Sequence, residues 1–306
     1  MLSKYLKSVV LTTSLISCAP FAFAAENGGS AYPDGTESFF GGAMPPPGTY
    51  LVSYNQFYSA DKFKNDHPVF DDFKLDTFAT VARGVYVSDK TFLGATWGMH
   101  AFLVYANADI TLGGGQDEKT ALGDVIIDPF LLGWHKGDWH VATGVDFYIP
   151  VGSYNKNRLA NIGRNYYTIQ PIVSATYLNQ QGIEVSTKWM YDINFENKDT
   201  SYESGNALHV DYIVAKHMGP LAVGLGGYVH RQLEGDSGAG AVLGEFKAKA
   251  ASIGPQVRYQ FAKGVAVAAK YQKEFDVENR PEGQKFALDI TVPFKNQLFK
   301  TIGVIR

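Results

Sequence analysis

Ionisable residues in this chain fall repeatedly on one face of alternating segments, and that placement limits what they can do. From Ile183 to Glu196, the residues Glu184, Lys188 and Asp192 share a row, opposite Ile183, Val185, Trp189, Tyr191, Ile193 and Phe195. Asp146, His209, Asp211, Arg258, Lys270 and Asp289 are placed in the same way elsewhere, and Asp76, Asp128 and Glu274 complete the set. Residues four apart on a strand are about 13 Å apart. Glu184, Lys188 and Asp192 therefore cannot pair with one another and need partners on neighbouring strands or across an interior. Two uses of such a row stand side by side. The charges line a conduction path or binding pocket, or they pair and fill a narrow interior. A lining of both signs gives no strong anion or cation preference by itself.

Other chemistries find less support. The histidines (His67, His100, His135, His140, His209, His217 and His230) show no helical metal-ligand spacing, so no metal site is expected. His209 and Asp211 share a face, but no recognisable nucleophile motif supplies a serine. Gly113-Gly114-Gly115 is not followed by a Lys-Ser or Lys-Thr helix and is not a phosphate loop. No cofactor motif is present. A formal net charge of −3 without a basic stripe argues against a nucleic-acid partner.

The elements that position these residues are strands. Tyr167–Glu196 alternates with period two on both sides of the turn Asn179-Gln180-Gln181-Gly182, and each arm is ten residues or longer. Strands of soluble proteins usually run about 5–6 residues. Long alternating segments with aromatic ends mark a transmembrane β-barrel. About twelve such strands are expected between Thr49 and Phe294. Long connections (Asp61–Asp71, Gly113–Ala121, Gly152–Arg164, Asn197–Ala207, Glu234–Glu245, Asp276–Gly283) alternate with short ones (Ser88–Lys90, Lys136–Asp138, Asn179–Gly182, Met218–Pro220, Ala262–Gly264). Sorted loops of this kind belong to a closed antiparallel barrel with short periplasmic turns and long external loops. Trp134, Trp139, Tyr177 and Phe261 fall near the short turns, as an interfacial girdle would. No run of 18 apolar residues could form a spanning helix. The fold class expected is all-β, a closed antiparallel transmembrane β-barrel of about twelve strands, in residues 49–294.

What flanks the barrel is read from local signals. Residues 1–24 form a cleaved secretory signal: Lys4 and Lys7, the apolar Val9–Ile16, then Ala22-Phe23-Ala24. The alternative is Leu15-Ile16-Ser17-Cys18 as a lipoprotein box, with the only cysteine, Cys18, lipidated. Residues 25–48 are rich in Gly and Pro. Pro33 could open a short helix through about Ala43. The segment is long enough to fold back into the lumen as a plug, with Phe39, Phe40 and Met44 offering contacts to a hydrophobic solute. The competing reading is a periplasmic tether. Residues 295–306 read as a periplasmic tail.

The opening Glu26–Ser30, Tyr32-Pro33, Gly35, Gly42-Ala43 and Pro45-Pro46-Pro47-Gly48-Thr49-Tyr50 is similar to the start of a bacterial outer-membrane family. That family is labelled after the meta-pathway of phenol degradation. The resemblance implies an outer-membrane barrel that admits small hydrophobic or aromatic molecules. Its partners would be outer-membrane lipid, the solute and the outer-membrane assembly machinery. Phe294 resembles the strand-terminal aromatic read by that machinery, although Lys295–Arg306 continues past it. Two other functions stay open: a non-transporting barrel with a structural or surface-binding role, and a membrane-embedded lipid hydrolase.

Overall fold

A computed structural model describes residues 29–294. The expected signal segment, Cys18 and the tail after Phe294 lie outside the described residues. Thirteen strands form one antiparallel sheet: β1 (Gly48–Phe63), β2 (Lys74–Phe92), β3 (Ala95–Leu112), β4 (Gly115–Leu122), β5 (Val125–Lys136), β6 (Trp139–Ile149), β7 (Thr168–Leu178), β8 (Ile183–Asn194), β9 (Ala207–Met218), β10 (Leu221–Gln232), β11 (Lys249–Gln260), β12 (Ala266–Glu278) and β13 (Pro281–Phe294). β1 pairs with β13 from Thr49↔Phe294 to Phe63↔Pro281, and β2 pairs with both β1 and β3, so the ring closes. Closure follows from the solvent, because an unpaired strand edge facing hydrocarbon leaves backbone N–H and C=O groups without partners.

Among the described residues the barrel wall has twelve strands, and β4 is an addition to it. The lower part of β3 pairs with β5, from Thr96↔Gly133 to Phe102↔Ile126. Its upper part pairs instead with β4, from Tyr105↔Leu122 to Leu112↔Gly115. The expected loop Gly113–Ala121 is therefore a hairpin that prolongs the wall outward. The expected loop Asp276–Gly283 is likewise a tight hairpin, since β12 and β13 are joined by residues 279–280 alone. At the other rim, β2 runs through Ser88-Asp89-Lys90 and turns at residues 93–94. Elsewhere the sorting of connections holds, with 64–73, 150–167, 195–206 and 233–248 on one rim and 137–138, 179–182, 219–220 and 261–265 on the other.

The two faces of the wall are inverted relative to a water-soluble protein. Phe57, Phe78, Leu103, Phe130, Trp189, Leu225 and Phe286 are exposed on the outside. Gln170, Glu184, Asp192, His209 and Asp211 are buried inside. The period of two in each strand places these rows back to back. Asp76 departs from the sequence reading. It is exposed and shares the outward row of Phe78, whereas Leu75, Thr77 and Ala79 face inward. Near Asp76 the usual pattern is reversed, since the inward row (Leu75, Thr77, Ala79, Val81) is the more apolar and the outward row (Lys74, Asp76, Phe78, Thr80) mixes charge with an aromatic, so polarity alone pointed to the wrong face.

Residues 33–43 form turns, not the short helix expected after Pro33. Their N–H groups are engaged elsewhere: Gly35 and Glu37 donate to Asp211, Phe40 to Glu184 and Gly42 to Thr176. Gly35 (φ 74°) and Phe40 (φ 61°) also adopt left-handed backbone, which ends any helical turn.

The lipid-facing assignment makes a direct prediction. Leu225 is exposed midway along β10. Leu225→Arg is expected to lower unfolding free energy in lipid vesicles by about 2–4 kcal/mol, measured by denaturant titration. An unchanged transition would mean that Leu225 does not face hydrocarbon.

Candidate functional site

The segment before β1 runs inside the barrel, and buried side chains of the wall hold it there. Asp211 on β9 is its main anchor. One carboxylate oxygen accepts from the Tyr32 hydroxyl at 2.6 Å and from the Glu37 N–H at 2.9 Å, and the other accepts from the Gly35 N–H at 2.8 Å. Glycine is required at position 35, because its φ is positive and a Cβ there would come within 2.3 Å of the Gln272 amide. Glu184 on β8 accepts from the Phe40 N–H at 2.5 Å and contacts His217 Nε2 at 2.5 Å with its second oxygen. Gly42 donates to Thr176 Oγ1 at 2.9 Å, and a Cβ on Gly42 would meet the β7 backbone at 2.6 Å.

The segment also contributes charges of its own. Glu37 Oε1 lies 2.8 Å from Arg83 Nη1 on β2 and 3.8 Å from Lys188 Nζ on β8. Burial alone would push the Glu37 carboxyl upward, but Arg83, Lys188 and Lys270 outweigh it and hold the group down at about 2. A carboxyl lowered on folding anchors fully above its free value of 4.5 and loses that contribution as pH falls toward 2. Asp34 meets His209 Nδ1 at 2.5 Å and Arg280 Nη1 at 3.0 Å. The Thr36 carbonyl accepts from Lys270 Nζ at 2.5 Å, and that ammonium also pairs with Asp289 at 2.8 Å.

Most of the sequence-expected residues meet in the interior around the segment, whereas Asp76 does not. Asp146 binds His100 Nε2 at 2.6 Å, and His100 Nδ1 lies 2.7 Å from Arg83. Asp192 accepts from Gln170 and contacts His209 Nε2 at 2.9 Å. Arg258 lies 5.0 Å over the ring of Phe40. Glu274 contacts the Tyr228 hydroxyl, and Asp128 accepts from the Phe130 N–H at 2.7 Å. Met44 is buried, and its thioether fills the space beside Gly98 and Gly133 where side chains would otherwise stand. Phe39 packs edge-on to His217 at 6.4 Å.

Two cavities flank the segment. The outer one, about 300 Å³, is lined by Leu75, Val81, Phe102, Val104, Ile126 and Tyr148 among others. The inner one, about 520 Å³, is lined by Phe40, Met44, Val85, Leu131, Lys188 and Arg258 among others. Glu37 lines both. Sequence reasoning missed Tyr32, Asp34, Glu37, Arg83 and Arg280, and it saw His100 and His230 only as unassigned histidines. Arg83 did carry a signal. It is the only charge between Thr77 and Ser88 in the middle of β2, and an ionisable residue at membrane depth is by default a functional candidate.

Residues 48–290 match the family described as "Putative MetA-pathway of phenol degradation". The chain belongs to this family. Among solved structures, it is similar to an outer-membrane channel from Pseudomonas putida F1, with a TM-score of 0.72 at 19% identity, covering 82% of this chain and 97% of that one. Weaker similarities are to the KdgM porin (TM-score 0.41, 7% identity, 80% and 99% covered) and the β-domain of the Bordetella autotransporter BrkA (0.49, 11%, 81% and 99%). No curated protein matches the chain in sequence. This family member is a bacterial outer-membrane protein whose barrel has the fold of that Pseudomonas protein.

Asp211→Ala would remove the acceptor of three donors in the segment, and a buried donor left unpaired costs about 1–3 kcal/mol. A cysteine introduced at Ser38 is expected to react with a membrane-impermeant thiol reagent at least about tenfold faster in that variant. Equal labelling rates with and without Asp211 would show that the carboxylate does not anchor the segment.

Proposed function

We propose that the barrel is a passive channel for small hydrophobic or aromatic molecules, and that the N-terminal segment gates it. The observation that carries this reading is the position of Glu37. It borders both cavities and is held between Arg83 and Lys188 from opposite parts of the wall. Two compartments that share one ion-paired side chain as their partition suit a path closed at that point. The outer cavity has an aliphatic and aromatic wall (Leu75, Val81, Phe102, Val104, Ile126) facing a polar one that carries Asp34, Glu37, Asp146, Glu274 and Arg280, which suits a small solute with an apolar ring and a polar end. The family's description points to phenol degradation, which fits an aromatic solute. Passage requires Glu37 to leave its cations or the segment to withdraw, and the segment has no strand pairing to resist either.

The hydrolase reading is disfavoured by His209. Both of its ring nitrogens are engaged by carboxylates, Asp34 and Asp192, which leaves neither to activate a hydroxyl. The non-transporting barrel remains the rival, and conductance separates the two.

Deleting residues 25–44 is expected to raise single-channel conductance and to speed entry of small aromatics into liposomes. Glu37→Ala should do the same to a smaller extent. Unchanged uptake, with the barrel intact by heat-modifiable migration, would overturn the gate. No conductance in either the parent chain or the deletion would favour the non-transporting barrel.

A further inference from the structure

We propose that Asp34, His209 and His230 form a site for a divalent transition cation of the zinc type, which ties the N-terminal segment to the barrel wall. The three ligands come from three elements. His209 on β9 and His230 on β10 are directly opposed in the ladder, with ring centroids 4.6 Å apart. Asp34 descends onto them from the segment. The His209 and His230 Nδ1 atoms are 3.3 Å apart, and Asp34 Oδ1 is 2.5 Å from the first and 3.6 Å from the second. Zinc bound to nitrogen and oxygen at about 2.0–2.2 Å sets ligand atoms about 3.3 Å apart in a tetrahedron. Two of the three spacings are already near that value, and the third must open to reach it.

The protons also argue for a cation here. A single proton on His209 Nδ1 can be given to Asp34, but His230 Nδ1 then faces that same group with only a 3.6 Å approach to the carboxylate. A cation satisfies all three atoms at once and displaces the His209 Nδ1 proton. The surroundings are those of a metal-bound imidazole. His209 Nε2 lies 2.9 Å from Asp192 Oδ2, whose other oxygen accepts from Gln170, and a carboxylate behind a ligating histidine fixes the ring and raises its basicity. Arg280 Nη1 holds the second oxygen of Asp34 at 3.0 Å. All three ligands are buried, yet Asp34 also lines the outer cavity, which supplies a route in. Linear spacing gave no sign of the site, because its residues are far apart in the chain and none is on a helix.

The test is zinc titration of the purified, folded barrel in detergent, with cobalt absorption as a second probe. The exposed His135–His140 pair, with ring nitrogens 2.7 Å apart, competes for zinc, so the parent for every titration is His140→Asn. One zinc per chain is expected, with a tetrahedral cobalt spectrum. His230→Gln should weaken binding at least about tenfold, and Asp192→Asn by about 10–100-fold, as loss of a supporting carboxylate does. Absence of stoichiometric zinc, or equal affinity after His230→Gln in a barrel that still shows heat-modifiable migration, overturns the site. A consequence for transport rests on the gating proposed above: zinc should reduce channel openings in the parent and not in His230→Gln. Zinc binding without any change in openings would retain the site and count against the gate.

Discussion

Carboxylates inside a lipid-clad wall need donors, and an irregular chain segment needs acceptors. The structure rests on the meeting of these two needs. Asp211, Glu184 and Thr176 present acceptors buried from solvent, and an isolated charge there would be costly. Residues 29–47 have no helix or strand in which to spend their N–H groups. Gly35, Glu37, Phe40 and Gly42 donate to the wall, and wall and segment satisfy each other. The same pressure recurs in reverse, where Glu37 and Asp34 on the segment accept from Arg83 and Arg280. Each supplies hydrogen-bond and charge partners that the other would otherwise lack.

This exchange shapes the interior. The segment is held by polar residues of β7 to β9 and, on its other side, of β12, β13 and β1, and space remains beside the apolar inward residues of β2, β3 and β5. The lumen thus divides into a polar side that holds the chain and an apolar side that can hold a solute. Outside, hydrocarbon removes any reason for polar groups, and the exposed row is aliphatic and aromatic along the middle of the wall, with charges such as Asp76 and Arg231 only toward the strand ends. The outer rim is tied separately. Asp117 on β4 accepts from Arg158, and Asp124 accepts from the Gly152 and Arg164 N–H groups, so the 150–167 connection is fastened to the β4 hairpin.

The barrel was legible because lipid outside and polar groups inside impose a strict period of two. That pattern fixed the phase of Glu184, Lys188, Asp192, His209 and Asp211 without any long-range information. It failed above the membrane, where both faces meet water. Residues 273–282 are polar on both sides, and a bulge near Asp276 (φ 50°) breaks the alternation, so a paired hairpin read as a loop. Asp76 falls on the outward face although charged, because the inward row beside it (Leu75, Thr77, Ala79) is the more apolar one. The partners on the segment could not be read at all. Asp34 and Glu37 sit among Gly and Pro with no period, and their roles depend on contacts to residues well over a hundred positions away, such as Lys188 and His209.

The central claim is that the segment held in the lumen by these bonds controls passage. Thr36 Oγ1 accepts from Gln56 Nε2 on β1 at 2.8 Å, which marks a point where segment and wall can be joined covalently. Cysteines at Thr36 and Gln56, bridged by a short cleavable thiol cross-linker, would fasten the segment in place. Single-channel recording before and after cleavage is the most direct measurement. Closed channels while bridged, with openings restored on cleavage, are the result this account predicts. Equal conductance in the two states would contradict it.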